Sequence, residues 1–300
     1  MQHILRDNAL EAWSMAVKYC NDILDGRATL GYRKHFVSSL HNAVELFIKQ
    51  RMLDINDFRV VEIKNGVLAD GQPAKDYYNA LNLNDYFSGL NREQMKQFFS
   101  AEFNKLSIYS KELFEEYYNE SGNKNVVCDA MKKLTSLRNN EMHFYIDKNM
   151  FLSEEDFREL HNFMIIFYEI LQRYSLLPFW GEPGRSEYSK LAFRKVKLEH
   201  FTYKKAVKKS KFVESLKESI DNQVFPASGG NSAYEIAERI AFILDDKYDE
   251  KNFGDLWTYI EMMIEYDILT YDVVEEEYRY EEGGDVYCGS NRYQTFSVNI

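Results

Sequence analysis

Arg138-Asn139-Asn140-Glu141-Met142-His143-Phe144-Tyr145 is the stretch on which the reading of this chain turns. It joins two segments with helical apolar periodicity. In the first, 124–138, Val127, Ala130, Met131, Leu134 and Leu137 face inward, and the helix is expected to end near Arg138. In the second, 154–175, Phe157, Leu160, Phe163, Met164, Phe167 and Leu171 form the buried side, and Ser153-Glu154-Glu155-Asp156 supplies an N-cap sequence. Between them stand a guanidinium that stays charged and, five positions on, an imidazole that exchanges protons near neutrality. Phosphodiester cleavage requires such a pair. The competing reading is that Arg138 and His143 cap the helix C-terminus, where cations meet the dipole favourably. Spacing alone does not decide, since Arg194 and His200 make a similar pair that is read as coincidence.

Upstream, 6–24 carries Leu10, Trp13, Ala16, Val17, Cys20, Ile23 and Leu24 at helical spacing and stops at Asp25-Gly26-Arg27. Residues 33–53 form an amphipathic helix with Phe36, Leu40, Ala43, Val44, Phe47 and Ile48 inside. Ser38, His41, Asn42, Glu45 and Lys49 lie on its opposite, solvated side. The period changes over 58–70, where Asn65-Gly66 between apolar runs predicts a β-hairpin. Aromatic-rich helical pieces follow over 74–82, 92–105 and 106–119.

The 300 residues are long enough for one large or two smaller domains, and four Pro with 15% aromatics argue against disorder. No apolar run is long enough for a membrane span, and Met1-Gln2-His3-Ile4-Leu5-Arg6-Asp7 does not read as a secretory signal. Cys20, Cys128 and Cys288 share no close spacing, so neither a zinc site nor a disulfide framework is expected, and the expected compartment is the cytoplasm. Gly-rich phosphate loops, His-Glu-x-x-His, Cys-x-x-Cys and Gly-x-Ser-x-Gly motifs are missing from the sequence, and no cofactor is implied. His161, beside an apolar stripe, reads as a satisfied core histidine.

The helical first part resembles the HEPN superfamily of compact bundles, many of them RNA-cleaving toxins and defence effectors. The resemblance rests on Arg138-Asn139-Asn140-Glu141-Met142-His143 and on His41-Asn42-Ala43-Val44-Glu45-Leu46, which is similar to the second helix of that fold. It implies a homodimer in which two motifs share one cleft. Arg138 would hold the scissile phosphate and His143 would move protons, without a metal, leaving 2′,3′-cyclic phosphate and 5′-OH ends. Asn139 would orient either partner, and Glu45 would be a polar support from the neighbouring helix, with a solvated helix residue as the alternative. Tyr145 completes a His-x-Tyr ending similar to toxins silenced by adenylylation of that Tyr; core packing is the alternative.

The expected domains are a HEPN-like bundle over 1–177 with an insertion at 56–121, a linker and basic segment over 178–211 after Pro178–Gly184, and an acidic module over 212–300. Residues 190–211 hold nine Lys/Arg against Glu199 alone, whereas 212–300 hold six bases against 20 acids. Whether the basic segment is strand or helix stays open at its Leu191–Leu198 end. Lys204, Lys205, Lys208 and Lys209, interleaved with Phe201, Tyr203 and Phe212, fit an RNA track with base stacking; docking on the acidic module fits equally. Helices over 233–245 and 253–268 and strands near 270–281 and 285–298 resemble a winged helix. Asp255, Glu261, Glu265 and Asp267 on its second helix argue against DNA and for a protein partner, such as an antitoxin. The chain thus reads as mainly α: a HEPN-like endoribonuclease with a hairpin-bearing insertion and a winged-helix-like α/β tail. Its rival is a non-catalytic interaction module.

Overall fold

The computed structural model describes residues 4–63, 75–143, 151–177, 193–221, 223–226, 231–243, 250–282 and 285–300. The protein is mainly helical, and among the described residues no helix is long and apolar enough to cross a membrane. It divides into two compact units, 1–20 with 34–199 and 21–33 with 200–300. The second unit therefore begins inside the segment read as a basic connector, and it includes the turn between the first two helices.

In the first unit, α1 (Ile4–Leu24) and α2 (Leu30–Asp54) supply Leu10, Trp13, Ala16, Phe36, Leu40, Val44, Phe47 and Ile48 to the core. They meet α9 (Glu154–Arg173), whose Phe157, Phe163 and Phe167 are fully buried; Phe36 packs edge-on to Phe157 with centroids 5.4 Å apart. Each such side chain removed from water contributes roughly 1.5–3 kcal/mol. Ser153 caps α9 as the sequence predicts: its Oγ accepts from Asp156 N at 3.1 Å, and the Asp156 carboxylate accepts from Ser153 N at 3.2 Å. The inward residues expected of α8 (Lys124–His143) are all buried, and Lys133 Nζ joins that helix to α9 at 2.6 Å from Asp156.

Between α2 and α8 the chain makes short helices: α3 (Lys75–Tyr78), α4 (Leu83–Ser88), α5 (Arg92–Met95), α6 (Phe103–Leu113) and α7 (Glu115–Ser121). The expected hairpin is only partly in view. Its Asn65-Gly66 turn and second arm lie outside the described residues, and the first arm, β1 (Val61–Glu62), pairs antiparallel with β2 (Phe99–Ser100). Asn56 fixes where this insertion leaves α2. It takes φ 57, and a 2.8 Å bond from Asp57 N to Met52 O closes the helix end. Its side chain then donates to Leu81 O at 3.0 Å and accepts from Leu83 N at 2.8 Å, holding the start of α4. Tyr77, almost fully buried, centres an aromatic cluster with Phe58, Tyr86, Phe87 and Phe98.

The second unit runs α10 (Tyr203–Lys208), α11 (Lys211–Ile220), β3 (Val224–Pro226), α12 (Ala233–Ile243), α13 (Glu250–Glu265), β4 (Leu269–Glu282) and β5 (Asp285–Val298). Its sheet is antiparallel with order β3-β5-β4. Strand β3 is not among the strands expected from the sequence; an edge strand tolerates Pro226 because one side of it needs no donor. The α1–α2 turn belongs here. Gly26, at φ 95, ends α1 with Arg27 N bonded to Asp22 O at 2.9 Å. Arg27 pairs with Asp255 at 3.1 Å, and Tyr259 Oη donates to Asp25 O at 3.0 Å.

Gly26 also lies against α10, where an added Cβ would meet Val207 Cα at 2.9 Å and Ala206 O at 3.0 Å, both backbone atoms. Gly122, at φ 71, has nothing within 4 Å of an added Cβ. Gly122→Ala should therefore cost about 1 kcal/mol, the strain of a left-handed residue. Gly26→Ala adds a steric clash and should cost roughly 2–4 kcal/mol. Equal shifts in the urea midpoint for the two variants would contradict this packing.

Candidate functional site

One row on α2 gathers polar groups at successive turns: His41, Glu45 and Lys49. Expected on a solvated side, this row is largely covered, with His41 at 1% and Lys49 at 6% exposure. The reason is the insertion. Phe103, at the start of α6, stacks on the His41 ring with centroids 3.9 Å apart and planes at 23°. Glu45 joins its neighbours: one carboxylate oxygen pairs with Lys49 Nζ, and the other lies 3.7 Å from His41 Nδ1.

Burial pushes the His41 imidazole down to about 4. The Arg138 guanidinium and Lys49 push the same way, and Glu45 only partly opposes them. His41 is thus neutral at pH 7, and its Nδ1 makes no hydrogen bond. The Arg138 guanidinium on α8 acts on His41 through its charge, and Glu45 acts on the same ring with the opposite sign.

Helix α8 does not end near Arg138 but continues through His143. Nothing in Asn139-Asn140-Glu141-Met142 breaks a helix, since neither Gly nor Pro interrupts it. Arg138 accordingly stands inside the helix, exposed to solvent, which removes the C-cap explanation for it. Asn139 is exposed beside it. His143 is the last residue of α8; its side chain, and Tyr145 altogether, lie outside the described residues.

Sequence reasoning missed His41 as a member of the site. The His41-x3-Glu45-x3-Lys49 row was visible, but its burial depends on Phe103 from the insertion. An imidazole held near 4 is a poor proton donor at neutral pH, so His41 suits the site as a neutral ring that seats Glu45 and not as its acid.

The basic segment divides into cations and core. Thr202 caps α10, its Oγ1 accepting from Lys205 N at 3.2 Å. Lys204, Lys205 and Lys209 are exposed and Lys208 is half-buried; among the described residues none of the four forms an ion pair with a carboxylate. The rings expected to stack on bases are otherwise engaged. Tyr203 is buried under the Arg33 guanidinium, which lies 5.2 Å from its centroid, and Phe212 stacks on Tyr259 at 4.4 Å. Phe201, edge-on to Tyr203, and Phe212 keep partial exposure.

His161 is a core histidine, 1% exposed, with Nε2 bonded to Arg194 O at 2.9 Å; burial holds its pKa below the ordinary value. Among the described residues no three His, Cys, Asp or Glu side chains converge to hold a metal ion. No family model matches the chain, and neither the curated proteins nor the solved structures contain a significant match to it.

Because the native His41 pKa is about 4 against an ordinary 6.5, the unfolded chain binds a proton that the folded chain refuses between those values. Stability is then complete above about pH 6.5 and declines as pH falls towards 4, by up to about 3 kcal/mol. His161 contributes in the same direction. Replacing His41 by Phe keeps a ring against Phe103 and removes the titration, so the acid slope of the urea midpoint should flatten. An unchanged slope in His41→Phe would refute the assignment.

Proposed function

We propose that the N-terminal bundle is a metal-independent endoribonuclease of HEPN type, acting as a bacterial toxin or phage-defence effector. The observation that supports it is that His41 on α2 lies 3.7 Å from Glu45 and within electrostatic range of Arg138 on α8. The resemblance rests on both of these helices and implies that Glu45 supports the Arg138 motif from its neighbour. An exposed guanidinium on a rigid helix, carrying five donors, suits bidentate contact with a scissile phosphate.

In the proposed reaction the ribose 2′-oxygen attacks phosphorus, its proton passes to an imidazole, and the P–O5′ bond breaks as the 5′-oxygen takes up a proton. The products carry 2′,3′-cyclic phosphate and 5′-OH ends. His143 is the proton-transfer group, with Asn139 and Glu45 as positioning residues. Base and acid are both needed, and His41 is held neutral, so a second copy of the motif would supply the other role. Self-association as a homodimer belongs to the proposal for that reason.

The C-terminal unit fits a winged-helix-like module: helix, strand, two helices and a β-hairpin, with sheet order β3-β5-β4. Asp255, Glu261 and Glu265 on α13 would repel phosphates, so a protein partner, such as an antitoxin, suits it better than DNA. One observation favours the rival reading, in which the whole chain is a non-catalytic interaction module. Tyr278, Tyr280 and Tyr287 form an exposed stack on β4 and β5, with centroids 6.1 and 5.1 Å apart, and β4 also carries the exposed Glu275, Glu276 and Glu277. Exposed aromatics among carboxylates are common in protein contacts.

Arg138→Ala and His143→Ala should each lower RNA cleavage by about 100-fold or more while leaving the thermal transition within about 2 °C of wild type. Cleavage should survive chelators, and mixing His143→Ala chains with wild type should inhibit beyond dilution. Wild-type activity in either variant, or dependence on added magnesium, would overturn the proposed site and mechanism, and no cleavage by the wild-type chain would favour the interaction module.

A separate measurement concerns the lysines. If α10 holds RNA, changing Lys204, Lys205 and Lys209 to Gln should weaken binding and reduce the log–log salt slope by about 0.7 for each lost phosphate contact on a single strand. An unchanged slope would take α10 out of the RNA-binding surface.

A further inference from the structure

A cavity of about 430 Å³ opens in the first unit between the C-terminal half of α2 and the insertion. Its walls include Leu53, Val60, Phe87, Met95 and Phe98, and among the described residues Lys49 is the one charged group lining it. Close-packed interiors leave few voids larger than a water molecule, and water gains little against apolar walls. The volume falls within the range of small-molecule sites, roughly 300–1,000 Å³.

The ammonium of Lys49 indicates what such a ligand carries. It has three donors, yet it is 94% removed from solvent (6% exposed), and among the described residues Glu45 is its one acceptor. Asp54, also in the C-terminal half of α2, is already engaged. Asp54 Oδ1 accepts from Gln50 Nε2 at 2.7 Å and from Asn84 Nδ2 at 3.3 Å, and it does not line the cavity. A buried ammonium with spare donors gains from any acceptor placed against it, most of all a charged one.

We propose that this cavity binds a small organic anion with an aromatic or branched apolar body, the anionic group meeting Lys49 and the body lying against Phe87 and Phe98. The ligand's acidic group shares the ammonium with Glu45, so occupancy bears directly on the row that holds Glu45 beside His41. The proposal does not rest on the ribonuclease reading.

The test uses the full chain, without RNA, titrated with 3-phenylpropionate and with its neutral amide, 3-phenylpropionamide, by calorimetry and ligand-observed NMR. A fragment of this size should bind with a dissociation constant on the order of 1 mM, and the carboxylate about tenfold more tightly than the amide. Lys49→Met should abolish that preference while keeping the amide's affinity. Ser88→Trp, at the exposed rim, should weaken both ligands without touching Lys49. Equal affinities in the wild-type chain would overturn the proposal, as would no binding of either compound at about 10 mM. The wild-type comparison and Ser88→Trp decide the matter even if Lys49→Met fails to fold. If Lys49→Met melts as wild type does, a retained preference for the carboxylate also overturns it.

Discussion

Helix α2 is covered on its apolar side and over much of its polar side, and the arrangement of the first unit follows from that burial. Removing His41 and Lys49 from water is costly unless each finds compensation. Compensation here is local: Glu45, one turn from both, pairs with Lys49 and approaches His41, which stacks on Phe103. Removing Glu45 would leave the Lys49 ammonium buried without its carboxylate partner. The row therefore acts as a unit, and α6 must sit where Phe103 can cover it. Asn56 makes this placement reproducible, because one residue both stops α2 and holds the backbone leading into α4.

Neutrality of His41 has a chemical corollary. A phosphate beside Arg138 would meet a single fixed cation next to a ring that carries no charge at neutral pH. Its attraction for an anion is thus directional, set by the guanidinium fork, and a second protonated imidazole from α2 does not compete. Cavity and row share Lys49, so a change in the surroundings of that ammonium reaches Glu45 through one ion pair.

In the second unit the packing is assembled around aromatic rings that sequence composition alone presents as available. Tyr203 lies under Arg33, Phe212 stacks on Tyr259, and Tyr259 donates to Asp25 O, while Lys204 and Lys205 of α10 are exposed and Lys208 is half-buried. Within α10 the exposed charges stand apart from the buried Tyr203 ring. That separation favours an electrostatic role for α10 over one that depends on stacking.

The sequence by itself determined the elements. Apolar residues three and four apart set α1, α2, α8 and α9, Ser153 and Asp156 marked the start of α9, and Asp25-Gly26 marked the end of α1. The long strands flanking Gly283-Gly284 were legible for the same reason: periodicity and capping are local, and local preference survives folding. What required the tertiary structure was every property that depends on a neighbour distant in sequence. The end of α8 moved from Arg138 to His143, β1 paired with Phe99–Ser100, and His41 passed from a solvated row to a buried one. A helical row of His, Glu and Lys reads the same whether water or Phe103 lies above it; burial, and with it the charge state of the imidazole, is decided only when the insertion folds back onto α2.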